Sequence, residues 1–217
     1  MEETTYRRAR SLDAKQERVD AILRSASEQA LDRGVREVTL TDIAAGVGMH
    51  KSTMLRYFET REEIFLRLAA QEWDAWAGQT SARLEEQRDA TPSAVAQVLA
   101  SSLVDRPLFC ELLAHVPLNL ERGVSLEAVK EFKLVAIAAA GRVAGATRRA
   151  CGIDGAAAGD AVSTATAMAG ALWQMAAPGT RLRELYESDP ELAHARVDVE
   201  PRLTRILTAL LRGSLKD

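Results

Sequence analysis

The stretch that decides the fold is Thr39-Leu-Thr-Asp-Ile-Ala-Ala-Gly-Val-Gly-Met-His-Lys-Ser-Thr-Met-Leu-Arg-Tyr-Phe58. Its first half predicts a short helix over residues 40–46, opened by a capping box in which Thr39 caps backbone amides and Asp42 reaches back. The two glycines that follow supply a tight turn, because glycine tolerates positive φ. A further helix over about 50–56 completes the pattern, so the stretch predicts a helix-turn-helix.

The second half of this stretch has the composition of a helix that contacts DNA. Residues 43–58 carry two bases, Lys51 and Arg56, and no acid. Met54 and Phe58 lie one turn apart and are predicted to face the core. The side chains left facing outward are Lys51, Ser52, Leu55 and Arg56. A recognition helix needs this combination of one anchored face and one basic face.

The rest of the chain is predicted to be helical almost throughout, so the fold class is all-α. Ala, Leu, Glu, Arg and Gln dominate, and β-branched runs of period two are missing. A first helix over about 15–33 ends at Gly34 in a left-handed cap. A long helix over 61–88 opens with a second capping box, Thr60-Arg-Glu-Glu63. Later helices are predicted from 92, from 107 towards 113, over 125–149, over 155–177, within 180–200 and from 200 onward.

Three segments follow from this pattern. Residues 1–14 are predicted to be a flexible N-terminal arm, residues 15–60 a three-helix helix-turn-helix DNA-binding domain, and residues 61–217 a second, larger helical domain. Within the first segments, residues 6–18 hold five bases and two acids. This basic run is either a solvated tail or a contact to the DNA backbone.

Composition excludes several classes of protein. The net charge of −3 exerts no global pull toward nucleic acid, so any charge that binds DNA must be local. The two cysteines make no disulfide framework and no zinc motif, so both are predicted to be reduced. The uncharged run Ala161–Ala177 contains polar side chains and many alanines, which favours a helix buried in protein over one in lipid. We expect a cytoplasmic protein that does not bind a membrane and needs no cofactor.

A catalytic function is not supported by the sequence. The three histidines, His50, His115 and His194, are far apart along the chain. The chain has no nucleophile elbow, zinc-protease motif, phosphate-binding loop or paired-carboxylate pattern. We therefore expect that the protein is not an enzyme.

Val19–Phe65 resembles the N-terminal DNA-binding domain of TetR-type (TetR/AcrR) transcriptional repressors. The elements that carry the resemblance are Ile22 through Gly34, Thr39-Leu-Thr-Asp-Ile-Ala-Ala45, Gly48-Met-His-Lys-Ser-Thr53, Tyr57-Phe58 and Arg61-Glu62-Glu63. Three positions depart from the usual pattern. His50 stands where Ser or Thr usually opens the third helix, Leu55 stands where tyrosine is common, and Glu59 replaces Pro or Lys. Leu55 removes a usual phosphate contact and offers an apolar side chain to a thymine methyl.

The resemblance implies that the helix-turn-helix contacts an operator. Lys51 can reach a guanine or a phosphate, although a solvated surface lysine is the alternative. Tyr57 is predicted to grip the sugar–phosphate backbone, with a partly buried core aromatic as the alternative. Helix-end amides beside Thr41 can bind a phosphate. The residues predicted to contact DNA are Thr41, His50, Lys51, Ser52, Thr53, Leu55, Arg56, Tyr57 and Arg61.

The resemblance also implies a homodimer, because one copy reads only a few base pairs and two copies read a palindrome. Two apolar stripes are candidates for a four-helix bundle across the dimer. The alternative is that both stripes are intramolecular core. The stripe residues are Ala158, Val162, Ala165, Ala169, Leu172, Ala176, Leu203, Leu207 and Leu210.

The same resemblance implies that residues 61–217 are a ligand-binding and dimerisation domain that holds a small and largely apolar effector. For each candidate lining residue, plain core packing is the alternative. His115 either orients a ligand or satisfies a backbone carbonyl. The candidates are Trp73, Trp76, Phe109, Leu112, His115, Phe132, Met168 and Trp173.

The sequence therefore predicts a DNA-binding transcriptional regulator, a ligand-responsive repressor that binds a palindromic double-stranded operator as a homodimer. Effector binding is expected to favour one angle of the long helix and to move the two DNA-binding domains of the dimer apart. Action of the ligand as a corepressor stays open. The alternative function is a helical small-molecule-binding or scaffold protein that does not read DNA.

Overall fold

The computed structural model describes residues 2–87 and 89–215, with side chains described from residue 13 onward. Within those residues the chain is all-α, as predicted, and contains no strand. None of its described helices is both long enough and apolar enough to cross a bilayer. The α-helices are α1 Glu2–Arg33, α2 Leu40–Gly46, α3 Lys51–Met54, α4 Arg61–Glu85, α5 Pro92–Val104, α6 Pro107–His115, α7 Leu126–Cys151, α8 Gly155–Ala176, α9 Arg181–Ser188 and α10 Val199–Gly213. Short 3-10 turns lie at Val35–Glu37, Leu120–Arg122 and Pro190–Ala195.

The first helix is longer than the sequence predicts. Helix α1 begins at Glu2 and not near Lys15, so most of the predicted arm over residues 1–14 is helical. The side chains of the basic run up to residue 12 and the predicted end of α4 at Arg88 lie outside the described part of the chain. The flexibility of the arm and the limits of the two domains stay predictions.

Helix ends follow local capping signals. Thr91, Ser125, Asp154 and Thr180 each accept a hydrogen bond from a backbone N–H in the first turn of α5, α7, α8 and α9. Gly34 ends α1 with a φ of +84° but a ψ of 150°, which is not the left-handed cap that the sequence predicts. At the start of α4, Thr60 Oγ1 accepts from Glu63 N at 3.1 Å, while the Glu63 carboxylate accepts from Glu59 N and not from Thr60 N. The second capping box is therefore only half formed.

The core of the body lies between α4 and the later helices. Helices α4 and α7 lie side by side in the same direction, since Asp74 pairs with Arg142 and Glu85 pairs with Arg149. Helix α8 packs against α5, α6, α7 and α10, and α10 packs against α5. Burial of the apolar faces of these helices is the main force that holds the bundle together.

Candidate nucleic-acid interface

Helix α2 starts at the predicted capping box. Thr39 Oγ1 accepts from Asp42 N at 3.2 Å, and the Asp42 carboxylate accepts from Thr39 N at 2.9 Å. The Thr39 hydroxyl also donates to that carboxylate at 2.6 Å. The two hydrogen bonds that the Asp42 carboxylate accepts hold the pKa of this carboxyl below its usual value, and the bond from the Thr39 hydroxyl has the larger effect. The box thus fixes the first turn of α2, where Thr41 is exposed.

Helix α1 clamps α2 through two polar side chains. Gln29 Nε2 donates to Asp42 O at 3.1 Å and to Ser25 Oγ at 3.0 Å. Ser25 Oγ donates in turn to Ile43 O at 3.4 Å. Sequence reasoning missed both residues, because their partners lie on another helix. A polar pair spaced i, i+4 on an otherwise apolar face was the only local signal.

The turn between α2 and α3 is a Schellman motif centred on Gly48. Gly48 has a φ of +65°, in the left-handed region that favours glycine. Its N–H donates to Ala45 O at 3.0 Å, and Met49 N donates to Ala44 O at 2.8 Å. This pair of hydrogen bonds satisfies the last carbonyls of α2 and sends the chain directly into α3.

Helix α3 is shorter than predicted and is anchored on one face. The α-helix covers Lys51–Met54, and residues 55–57 continue it as a turn. Met54 is fully buried and Phe58 is 5% exposed, which confirms both as the anchors. His50 occupies the N-cap position without a side-chain cap hydrogen bond.

Eight of the nine predicted DNA-contact residues lie in α2, in α3 with its N-cap, and in the turn after α3, and six of them are exposed. Thr53 and Tyr57 are partly buried. Tyr57 packs against the core, as the alternative of a partly buried core aromatic predicts. Leu55 is 48% exposed. The exposed members are Thr41, His50, Lys51, Ser52, Leu55 and Arg56.

Arg61 is the predicted contact residue that the structure places elsewhere. Its side chain is 18% exposed, and its guanidinium donates to Val35 O and Val38 O and pairs with Glu62. The guanidinium carbon also lies 5.1 Å from the centre of the Phe65 ring. These contacts use three of the five guanidinium N–H groups and fasten the start of α4 to the loop between α1 and α2, so a DNA contact by Arg61 stays a prediction.

Glu111 on α6 makes a second tie between the body and the DNA-contacting part. Its carboxylate accepts from Val35 N at 3.3 Å and from Gln174 Nε2 on α8 at 2.7 Å, and His115 Nε2 lies 3.4 Å away. Burial opposes ionisation of Glu111 most strongly. The hydrogen bonds from His115, Gln174 and Val35 nevertheless hold the pKa of its carboxyl below the usual value. Sequence reasoning missed this residue, because its partners are distant along the chain.

In the part of the chain that the structure describes, the eight predicted pocket residues fall into separate groups. The rings of Trp73, Trp76 and Phe109 pack together, with centroids 5.3 to 5.6 Å apart, and Trp76 Nε1 donates to Ser102 Oγ at 3.0 Å. This cluster is packed core, as the alternative reading holds. The other predicted members are Leu112, which is buried, Met168 and Trp173, which are partly buried, His115, which contacts Glu111, and Phe132, which lies in a groove between α4 and α7.

The two apolar stripes assigned to a dimer interface face inward. Eight of the nine side chains are buried within the single chain, and Leu210 is partly buried. They pack between α8 and its neighbours α6, α7 and α10, and between α10 and α5. The prediction that these residues contact a partner is therefore corrected. The corrected residues are Ala158, Val162, Ala165, Ala169, Leu172, Ala176, Leu203 and Leu207, while a partner contact by the partly buried Leu210 stays a prediction.

Comparison with known proteins agrees with this geometry. Residues 22–68 match the family model of bacterial regulatory proteins of the tetR family, and residues 70–217 match that of the Tetracyclin repressor-like, C-terminal domain. The chain belongs to the TetR family. As a TetR-family protein it is a DNA-binding transcriptional regulator, and members of this family are regulators and not enzymes. The two matched regions meet inside α4, which runs through both halves of the protein.

Solved structures share the fold at low sequence identity. FadR from Bacillus halodurans aligns with a TM-score of 0.58 and 14% identity over 91% of this chain and 99% of its own. A TetR-family regulator from Mesorhizobium loti aligns with a TM-score of 0.56 and 16% identity over 93% and 96%. FadR from Thermus thermophilus, a repressor solved with lauroyl-CoA, aligns with a TM-score of 0.56 and 15% identity over 92% and 96%. Among curated proteins, none matches this chain.

Proposed function

We propose that the protein is a repressor that binds a palindromic operator as a homodimer and changes its DNA affinity when an effector binds its helical body. The observation that carries the proposal is the anchored, basic surface of α3. Met54 and Phe58 fix one face in the core, while Lys51, Ser52 and Arg56 are exposed on the other. Because one face of the helix stays packed in the core, the other face can enter the major groove while the domain remains folded.

Each exposed side chain has a chemical role in this proposal. Lys51 donates to a guanine edge or to a phosphate, and Ser52 and Thr53 donate to either. Arg56 and Tyr57 hold the sugar–phosphate backbone, and Thr41 adds its hydroxyl to a phosphate beside the first amides of α2. Leu55 offers an apolar contact to a thymine methyl, and His50 donates a ring N–H to a phosphate or a base.

The DNA-reading role is tested with the double variant Lys51→Ala, Arg56→Ala in a gel-shift assay against DNA that flanks the gene. Loss of both side chains from both protomers removes several charged contacts, so affinity should fall by about 100-fold or more. The control is Lys130→Ala, Arg148→Ala, which removes two exposed bases from α7. Salt-sensitive nanomolar binding that survives in the first variant would contradict the proposal and favour the alternative of a helical binding protein that does not read DNA.

The homodimer is proposed to form through the outer faces of α8 and α10. The inner faces of both helices are used within the chain, so a partner meets the exposed side chains. Over residues 160–171 of α8 these are small residues and one acid, which allow close approach of a second helix, and over residues 202–212 of α10 they are mostly arginines. The exposed residues in these two stretches are Asp160, Ser163, Ala167 and Ala171 on α8 and Arg202, Arg205, Ala209 and Arg212 on α10.

Sedimentation equilibrium tests this assignment. The protein should be a dimer, and Ala167→Arg should shift it toward monomer, because a long charged side chain would be buried at a close helix contact. The matched control is Ala138→Arg on the exposed face of α7. A monomeric wild-type protein would contradict the dimer, and equal dimerisation of both variants would contradict its location.

The effector is proposed to act by population shift. FadR from Thermus thermophilus binds lauroyl-CoA, and by analogy an apolar part is expected in the effector of this protein. Arg61 fastens α4 to Val35 and Val38, so a change in the angle of α4 carries the DNA-contacting helices with it. A ligand shifts the equilibrium only by its difference in affinity for the two arrangements.

A further inference from the structure

An open groove lies between α4 and α7 at the level where the DNA-contacting part joins the body. Its volume is about 460 Å³, within the range of small-molecule sites. The floor is formed by Phe58, Leu66 and Phe132, which are apolar and buried. Phe58 follows the turn after α3 and anchors it in the core, so an occupant of this groove touches an anchor of the recognition segment.

The rim of the groove is acidic. Three carboxylates, Glu63, Asp74 and Glu131, line it together with one guanidinium, Arg67. Asp74 is paired with Arg142 at 2.6 Å, and Glu63 accepts from a backbone N–H. The formal charge of the four rim groups is −2, and it is −1 when Asp74 is counted as neutralised by Arg142. Such a rim attracts a cation and repels an anion.

We propose that this groove binds an organic cation with an apolar, aromatic body. The inference rests on the proposed effector response and assigns that response a site and a ligand class. The aromatic floor receives the apolar body, and Glu63 and Glu131 receive the charge. Because the ligand then contacts Phe58, Leu66 and Phe132 together, it bridges the recognition segment, α4 and α7. Binding there changes how α4 sits against α7 and hence where α3 points.

Isothermal titration calorimetry with two probes of opposite charge tests the ligand class. Tetraphenylphosphonium and tetraphenylborate have nearly the same shape and differ in the sign of their charge. The cation should bind the protein about tenfold more tightly than the anion, because only the cation is attracted by the rim. Equal affinity, tighter binding of the anion or no binding of the cation would overturn the proposal.

Two pairs of variants on α7 test the site. Val135→Trp adds bulk inside the groove and should weaken cation binding about tenfold, whereas Leu134→Trp, beside it but outside the groove, should not. Glu131→Lys should weaken binding about fivefold by reversing a rim charge, whereas Glu127→Lys should not. Cation binding that is insensitive to Val135→Trp, or equally sensitive to both members of a pair, would overturn the site.

Operator binding without any cation is measured on the same samples, and thermal unfolding confirms that each variant is folded. If the wild-type protein does not bind operator DNA, the proposed function is contradicted, whereas cation binding in the groove is still tested by the calorimetry. Intact DNA binding without cation binding would overturn the groove alone. Cation binding that leaves operator affinity unchanged would overturn the effector role of the groove.

Discussion

Replacing Gly46 by alanine tests how closely α1 and α2 approach each other. A Cβ atom at this position would lie 2.2 Å from Ser25 Oγ and 2.9 Å from Gln29 Nε2. The Ser25 hydroxyl must therefore turn away from Ile43 O, or α2 must shift as a whole. Either response disturbs the hydrogen bonds by which α1 holds the first helix of the helix-turn-helix.

The cost follows from the contacts that are lost. Turning Ser25 away removes its hydrogen bond to Ile43 O and the one that it accepts from Gln29, each with a net contribution of about 0.5–1.5 kcal/mol. Alanine gains less than about 1 kcal/mol in return, because Gly46 is the last residue of α2. We expect a net loss of about 1–2 kcal/mol in the free energy of unfolding.

Urea denaturation of a double-mutant cycle measures this clash directly. In a Ser25→Ala background the contact with the Ser25 hydroxyl is gone, the Cβ atom of residue 25 lies at an ordinary 3.5 Å, and only the end of the flexible Gln29 side chain stays close, so adding Gly46→Ala should cost much less than in the wild-type protein. Gly78→Ala is the control, since a Cβ there meets nothing within 4 Å, and it should stabilise α4 by about 0.5–1 kcal/mol. Additive effects of the two substitutions would refute the close approach.

Further predictions concern the body of the protein. Glu111→Gln should lower the free energy of unfolding at neutral pH and make it depend less on pH in acid. The folded pKa of Glu111 lies below the unfolded value near 4.5, so the stability that its carboxylate contributes is complete above that value and is lost as pH falls through the folded pKa. Urea unfolding curves at pH 3–7 measure this, and the same pH dependence in both proteins would contradict it. Leu207→Ala should cost about 2–5 kcal/mol in urea denaturation because the side chain is fully buried between α10 and its neighbours in one chain, and a cost below 1 kcal/mol would contradict its place in the core. Cys110 is buried and burial raises the pKa of its thiol to about 12, whereas Cys151 is only partly buried, although burial raises its pKa as well. A thiol reagent at neutral pH should therefore label Cys151 slowly in the native protein and Cys110 only after unfolding, and rapid native labelling of Cys110 would count against the packing of α6.

The helix-turn-helix could be predicted closely because its signals are local. The Thr39–Asp42 box and the left-handed Gly48 lie within a few residues of the structure that they determine. The burial of Met54 and Phe58 follows from their spacing on one short helix. The length of α3 was overestimated, since residues 55–57 form a turn that keeps the same outward face.

Which helices cover an apolar face could not be predicted in the same way. The apolar period of α8 and α10 correctly indicates that Leu172 and Leu207 are covered. Helical periodicity is the same whether the covering helix belongs to one chain or to another. The sequence therefore predicts that these stripes are covered but not which helices cover them, and the structure covers them within the chain.

Arg61 illustrates a second limit of sequence reasoning. Its position at the start of a helix beside a DNA-contacting helix favours a phosphate contact. The carbonyls of Val35 and Val38 that accept its hydrogen bonds are more than twenty residues away along the chain. Nothing near Arg61 in the sequence predicts that the loop after α1 folds back onto it. The tie between Glu111 and Val35 was missed for the same reason.

The most direct test of the account is site-specific photo-crosslinking from α3 to a DNA fragment that the protein binds. A cysteine at the exposed Ser52 carries the crosslinker in a Cys151→Ser background, and Thr208→Cys on α10 is the control position. The account predicts crosslinks from position 52 to bases in the major groove at two symmetric places about one helical turn apart, and none from position 208. Crosslinks from position 208 but not from position 52 would contradict the claim that the anchored basic face of α3 reads the DNA.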